Sequence, residues 1–184
     1  MTSAAFNNPA FGALDNSGNL YVTEWDGHVV RKITPDGQVT TLAGKASQGV
    51  GQSDGTGEQA SFDNPGGIAI GPDGNIYVMD ETNGLIRKIT PAGVVTTFYN
   101  GNGILTGRGI AFDNSGNLFV AVQEHHVIQK IDKDGNLTTY AGQYDNAGFL
   151  DGVSSSALFN RPNSILIKDN GDMLISDRSN HVVR

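Results

Sequence analysis

The residues with chemistry to offer sit at one recurring place. Four short polar stretches occupy equivalent positions along the chain: Thr23-Glu24-Trp25-Asp26-Gly27, Met79-Asp80-Glu81-Thr82-Asn83, Ala121-Val122-Gln123-Glu124-His125 and Ser176-Asp177-Arg178-Ser179-Asn180. With Tyr144 and Asp145, on a longer connection, they supply the candidate binding residues: Glu24, Trp25, Glu81, Glu124, His125, Tyr144, Asp145 and Arg178. Asp80 and Asp177 stand beside them. Exposed aromatics next to charges dominate recognition energetics, so Trp25 is the best single anchor. Glu24, Asp80 and Asp177 recur in register, which favours capping of their own loops through backbone N–H groups over contact with a ligand. Trp25, His125 and Arg178 do not recur, and are better candidates for specificity.

Other signals carry less. Asp132-Lys133-Asp134-Gly135-Asn136 starts like a calcium loop, but the twelfth position is Gln143 where a Glu is needed, so it reads as a hairpin turn. His125 and His126 are adjacent and would point to opposite faces of a strand, so they cannot chelate one metal. The glycines at 49, 51, 55 and 57 open no helix and cradle no phosphate. Asn136-Leu137-Thr138 is a glycosylation sequon with meaning only in a eukaryotic secreted setting. No catalytic residue, metal site or cofactor is expected from these residues.

The polar stretches are the turns of a repeated element. Residues 65–89 read as three strands, Gly67–Ile70, Asn75–Met79 and Leu85–Thr90, rich in β-branched and aromatic residues. Pro72-Asp73-Gly74 and Thr82-Asn83-Gly84 supply the turns. A fourth strand, Val94–Tyr99, follows Pro91-Ala92-Gly93. The core Gly74-Asn75-Ile76-Tyr77-Val78 recurs as Gly18-Asn19-Leu20-Tyr21-Val22, Gly116-Asn117-Leu118-Phe119-Val120 and Gly171-Asp172-Met173-Leu174-Ile175. From the marker Gly to the Arg or Gln of the third strand is 13 residues in every copy: Gly18 to Arg31, Gly74 to Arg87, Gly116 to Gln129, Gly171 to Arg184. A single four-stranded sheet has too little core to stand alone, so it needs copies of itself. The recurring Arg31, Arg87 and Arg184, with Gln129, are expected to bond between blades rather than to act on a ligand.

The unit Pro-x-Gly-Ile-Ala-Ile-x-x-x-Gly-Asn-Ile-Tyr-Val-x-Asp-x-x-Asn-x-x-Ile-Arg-Lys-Ile resembles the NHL repeat. The resemblance implies an all-β β-propeller of four NHL-like blades of four antiparallel strands, the last incomplete, with first strands lining a channel. Repeats fall at about 6–44, 62–101, 104–142 and 159–184 of a single segment, 1–184. Departures are Gly107 for Pro, Val122 for Asp, and Gly27 and His125 for Asn. Propellers that hydrolyse lactones or similar substrates use metal-binding carboxylates and Asn in the channel. The first strands here carry neither carboxylate nor His, so the expected function is non-catalytic: a scaffold presenting a loop-rich acidic face to a protein, peptide or glycan. The alternative is part of a propeller enzyme whose metal site lies largely outside this segment.

Marker glycines alternate in spacing, and Gly74 to Gly171 is 97 residues, so the period reads as a pair of blades. The extra length lies in linkers 44–61 and 142–158, which share Asp-Gly (Asp54-Gly55, Asp151-Gly152) and end in Ala-x-Phe at Phe62 and Phe159. They are expected to be ordered, each burying its Phe, with Phe6 a partial copy. Uncovered blade faces at both ends make self-association, or continuation in a longer chain, the expected way to cover them, with residues 1–8 as a strand donor to Val182–Arg184.

A net charge of −7, from 12 Lys and Arg against 19 Asp and Glu, argues against a nucleic-acid partner. The chain has no cysteine, which excludes disulfides and thiolate metal sites. No apolar run approaches the ~20 residues of a membrane-spanning helix, and no membrane insertion is expected. Met1–Phe6 has no basic or apolar signal-peptide region. The compartment stays open, with an extracytoplasmic one favoured.

Overall fold

The computed structural model describes residues 4–46, 49–100 and 107–184. The expected ends of the second repeat at 101 and of the third at 104 lie outside them, as do residues 1–3 of the proposed strand donor. The chain divides into two compact units, Met1–Asn100 and Gly101–Arg184, each holding two β-sheets.

In the first unit, one sheet is the meander β1 (Pro9–Leu14), β2 (Leu20–Glu24), β3 (Val29–Ile33) and β4 (Val39–Ala43). The other has five strands. β6 (Pro65–Ile70), β7 (Ile76–Asp80), β8 (Leu85–Ile89) and β9 (Val94–Tyr99) form the expected meander. A two-residue strand, β5 (Gly55–Thr56), adds to the outside of β9, with Gly55 opposite Val95 and Thr56 opposite Val94. The second unit repeats the plan. β10 (Gly107–Phe112), β11 (Leu118–Val122), β12 (Val127–Ile131) and β13 (Leu137–Ala141) form one meander. β14 (Pro162–Ile167), β15 (Met173–Asp177) and β16 (Val182–Val183) form a three-stranded sheet. The fold is all-β, four blades, the last one strand short.

The burial pattern explains the strand types. β7 (Ile-Tyr-Val-Met-Asp) and β11 (Leu-Phe-Val-Ala-Val) are buried along their whole length, so they read as unbroken apolar runs. The outer strands β4, β9 and β13 do not alternate; each exposes consecutive residues, among them Thr40-Thr41, Thr96-Thr97 and Thr138-Thr139. The β1–β2, β6–β7, β10–β11 and β14–β15 turns each place the marker glycine at positive φ, 74° to 88°. Their carboxylates close the turns: Asp15 accepts from Ser17 and Asn19 N–H, and Asp113 from Ser115 and Asn117 N–H. Asp132 does the same for Asp134 and Asn136, so the calcium-like stretch is a hairpin turn.

Blades within a unit meet through their linkers. Val30, Ala43, Phe62, Ile68, Val78, Ile89 and Val95 share the core of the first unit. Ile128, Ala141, Phe159, Ile165 and Ile175 share that of the second. Phe62 and Phe159 are buried as expected, whereas Phe6 is 38% exposed. All three rings nevertheless lie under an arginine of the third strand: Arg31 over Phe6, Arg87 over Phe62 and Arg184 over Phe159, 5.0 to 5.4 Å from the ring centroids. Each arginine also reaches the carboxylate ending the second strand. Arg31 meets Glu24 at 2.6 Å, Arg87 meets Asp80 at 3.0 Å and Arg184 meets Asp177 at 3.4 Å. Arg87 and Arg184 further donate to linker carbonyls, at Ser53 and Ser61 and at Leu150 and Leu158. The recurring arginines therefore clasp each blade to the segment that precedes it. The third blade has neither partner: Val122 replaces the acid and Gln129 the arginine.

Residues 4–9 use this clasp too. Asn7 N–H donates to Glu24, and the Ala5 carbonyl accepts from Arg31.

Candidate functional site

Three of the four second-to-third-strand turns end in a histidine in the left-handed region: His28 (φ 52°), His126 (φ 59°) and His181 (φ 58°); Gly84 (φ 65°) takes the fourth place. Two of these histidines tie blades together. His28 Nδ1 accepts from Asn64 N–H, and His126 Nδ1 from Arg161 N–H, both at 3.1 Å. The turns are thereby held in place against the start of the next blade in the same unit.

Register with the repeat decides what the candidate residues do. Asn83 and Asn180 lock their turns: each amide donates to its own blade's carboxylate, Asp80 or Asp177, and to a linker carbonyl, Gly51 or Gly148. At the same position the third blade has His125, and its ring turns elsewhere. It stacks on Tyr144, centroids 4.1 Å apart and planes 16° off parallel. Its Nδ1 lies 2.6 Å from the Asp145 carboxylate, and its backbone carbonyl accepts from Asp145 N–H. Next to it Glu124 pairs with Arg161 at 2.6 Å. Arg161 follows Asn160, whose carbonyl accepts from Ser179 N–H, which brings Arg178 to the same rim. Partial burial, then the Asp145 carboxylate, raises the Tyr144 hydroxyl above its ordinary pKa, so it stays a neutral donor.

The structure thus brings Glu124, His125, Tyr144, Asp145 and Arg178 together on one rim of the second unit. It adds Arg161, which the sequence reading missed. Arg161 stands before a proline where the first two blades have Asn8 and Asn64. Arg178 is exposed, and its guanidinium makes no ion pair among the described residues.

The first unit arranges its candidates otherwise. Glu24 is buried and committed to Arg31 and Asn7 N–H. Glu81 is buried against Gly66, where a Cβ would collide with its carboxylate. Asp80 and Asp177 are fully buried. Burial pushes the Asp80 carboxyl above its ordinary pKa, against the hydrogen bonds from Asn83, Asp63 N–H and Arg87. The acidic residues that recur therefore face inward, and the exposed rim of the second unit is mixed in charge rather than acidic. Trp25 is half-buried, its backbone held by Asn8 and Asn64. No group of three or more His, Asp or Glu suited to a metal occurs among the described residues.

Residues 62–89 match the family model described as the NHL repeat. Teneurin-3 from Mus musculus is 31% identical over 91 residues, covering 42% of this chain and 3% of that protein. Among solved structures, a structural genomics protein of unknown function from Bacteroides thetaiotaomicron superposes with a TM-score of 0.78 at 22% identity, over 96% of this chain and 46% of the other. An auxiliary nutrient binding protein from Bacteroides ovatus gives 0.68 at 19% identity, over 98% and 48%. Virginiamycin B lyase from Staphylococcus aureus gives 0.65 at 21% identity, over 96% and 54%. The chain spans about half the length of these structures and a small part of the curated relative. The second blade is an NHL repeat, and the chain builds its four blades to the β-propeller fold.

Proposed function

We propose that this chain is a non-catalytic binding module, and that the rim around Tyr144 receives a protein, peptide or glycan. One observation carries the reading: the exposed polar residues that depart from the repeat pattern converge there. His125, Tyr144, Asp145, Glu124 and Arg161 hold one another in a fixed arrangement. A stacked aromatic pair flanked by paired charges is a preorganised recognition surface, with little side-chain entropy left to lose. The fold leaves both binding and catalysis open, since a nutrient binding protein and a lyase both share it. Binding is favoured because the rim is built as a fixed surface: Glu124 is paired with Arg161, and Asp145 with His125, which stacks on Tyr144.

Glycan and peptide arrays probed with the folded chain test this. The expected result is a ligand whose affinity drops roughly tenfold or more with Tyr144→Ala or Arg178→Ala, at unchanged melting temperature. Ligands indifferent to both substitutions, or turnover of a lactone by the chain, would overturn it.

A further inference from the structure

The two units are copies of one sequence, so the first shows what the rim of the second has gained. Residues 124–126 correspond to 26–28, 142–144 to 44–46 and 159–184 to 62–87. The backbone keeps the match. Gly44 and Gly142 have φ of 88° and 91°, and His28 and His126 accept alike from the N–H groups of Asn64 and Arg161. Against that background four rim positions differ: Tyr144 replaces Ala46, His125 replaces Gly27, Arg161 replaces Asn64 and Arg178 replaces Glu81. Two exchanges add a guanidinium, and one of these also removes a carboxylate. The exchange at Arg178 is coupled to one beneath it. Glu81 lies buried over Gly66, where a Cβ would collide with its carboxylate. In the second unit that glycine is Asn163, which accepts from the buried Gln123 amide at 2.6 Å. With the inward place filled, position 178 faces solvent. The Arg178 guanidinium meets no carboxylate among the described residues, whereas Glu124 already holds Arg161 and Asp145 holds His125. Arg178 is the charge that the rim leaves over. Ser179 N–H donates to Asn160, and the Asn180 amide to Gly148 on the linker that carries Tyr144, so the turn bearing Arg178 is fixed beside both.

Given that the rim is a binding surface, on which this inference rests, we propose that its ligand is a saccharide carrying one uronate. Arg178 takes the sugar carboxylate, and Tyr144 takes the apolar face of a sugar ring. A planar guanidinium meets a carboxylate with two parallel hydrogen bonds, which makes it selective for that group over a hydroxyl. Tyr144 is 49% exposed, with His125 stacked on one face, so the ring is held still while the rest of its surface stays open. Glu124 and Asp145 decide against an acidic peptide. Both are exposed, so they repel the second charge of an acidic run but accept hydrogen bonds from sugar hydroxyls. One carboxylate among many hydroxyls is the chemistry that satisfies one spare guanidinium between two paired acids.

The probes are aldobiouronic acids, one glucuronate or galacturonate joined to one neutral hexose, each beside its carboxyl-reduced counterpart. They are titrated into the whole chain and followed by amide chemical shifts. Saturable shifts are expected at residues 124–125, 144–145 and 178–179, with the reduced sugar binding roughly tenfold or more weakly. Arg178→Glu and Tyr144→Ala each restore the residue of the first unit. Both should weaken binding by a similar factor at unchanged melting temperature, since both side chains are exposed. Arg178→Lys keeps the charge without the paired geometry and should bind several-fold more weakly. Equal binding of the reduced sugar, lost with Tyr144→Ala but kept with Arg178→Glu, overturns the proposal and leaves the rim as a binding surface. Sugar binding untouched by either substitution overturns the proposal and the rim reading together. Absence of binding by every saccharide overturns the proposal too, whether or not a Glu-containing peptide is captured through Arg178.

Discussion

Phe62 shows how one side chain holds two blades. It is fully buried, lies under Arg87 and touches the core shared by both sheets of its unit. Truncating it to Ala should cost about 3–5 kcal/mol, the transfer term plus a cavity that packed strands cannot collapse. The matching Phe6→Ala should cost less than about 1.5 kcal/mol, because that ring is already part-exposed. Urea denaturation of the two variants measures both, and equal costs would contradict the placement of the linkers. At this scale, recurrence in the sequence separated structural from variable residues. Glu24, Asp80 and Asp177 recur, and all three are buried against arginines. His125 breaks its column, and it is found in the exposed cluster with Tyr144 and Asp145. Arg161 broke its column too, but a single arginine before a proline carries no local propensity that marks it.

The turns are the elements most sensitive to pH. The Asp15 and Asp132 carboxyls are held below their ordinary pKa chiefly by side-chain bonds from Asn19 and Asn136. At Asp73 and Asp113 burial works upward, but is outweighed by Lys88 and Asn75 and by Asn117. A carboxyl lowered on folding stabilises above its unfolded value near 3.9, and that contribution disappears as pH falls through the folded values. The stability that these turns contribute should therefore be flat above about pH 5 and fall below about pH 4. Chemical denaturation at pH 7 and pH 3 measures the loss, and Asp113→Asn should make it smaller. Strands were legible because β-branched runs alternate with Asp-Gly-type turns; β9 spans Val94–Tyr99 as its pattern indicates. β5 was not legible, since it is only two residues long and opens on a glycine; the linker that carries it is tied to Arg87 through Asp54. β6 begins at Pro65 rather than Gly67 because a bulge lets Pro65 pair with Asp80.

For the molecule as a whole, charge predicts behaviour that no single site does. At a net −7, and with Arg31, Lys45, Arg87, Lys88, Lys133, Arg161, Lys168 and Arg184 engaged in ion pairs out of 12 Lys and Arg, few cations remain to meet a phosphate backbone. No mobility shift with single-stranded or duplex RNA is expected at 150 mM salt, on the order of physiological ionic strength. Salt-sensitive micromolar binding would contradict it.

The arginine clasp has a consequence for inserting foreign sequence into this scaffold. Length would suggest the two long linkers as permissive sites. Yet their backbone is tied to Arg87 and Arg184 and each ends in a buried phenylalanine, so an insertion there pulls on the blade core. The short outer turns at Gly37 and Gly135 are the opposite case. Nothing lies within 4 Å of where a Cβ would stand at either glycine. A grafted loop there would project into open space and leave the arginine clasps of its unit untouched.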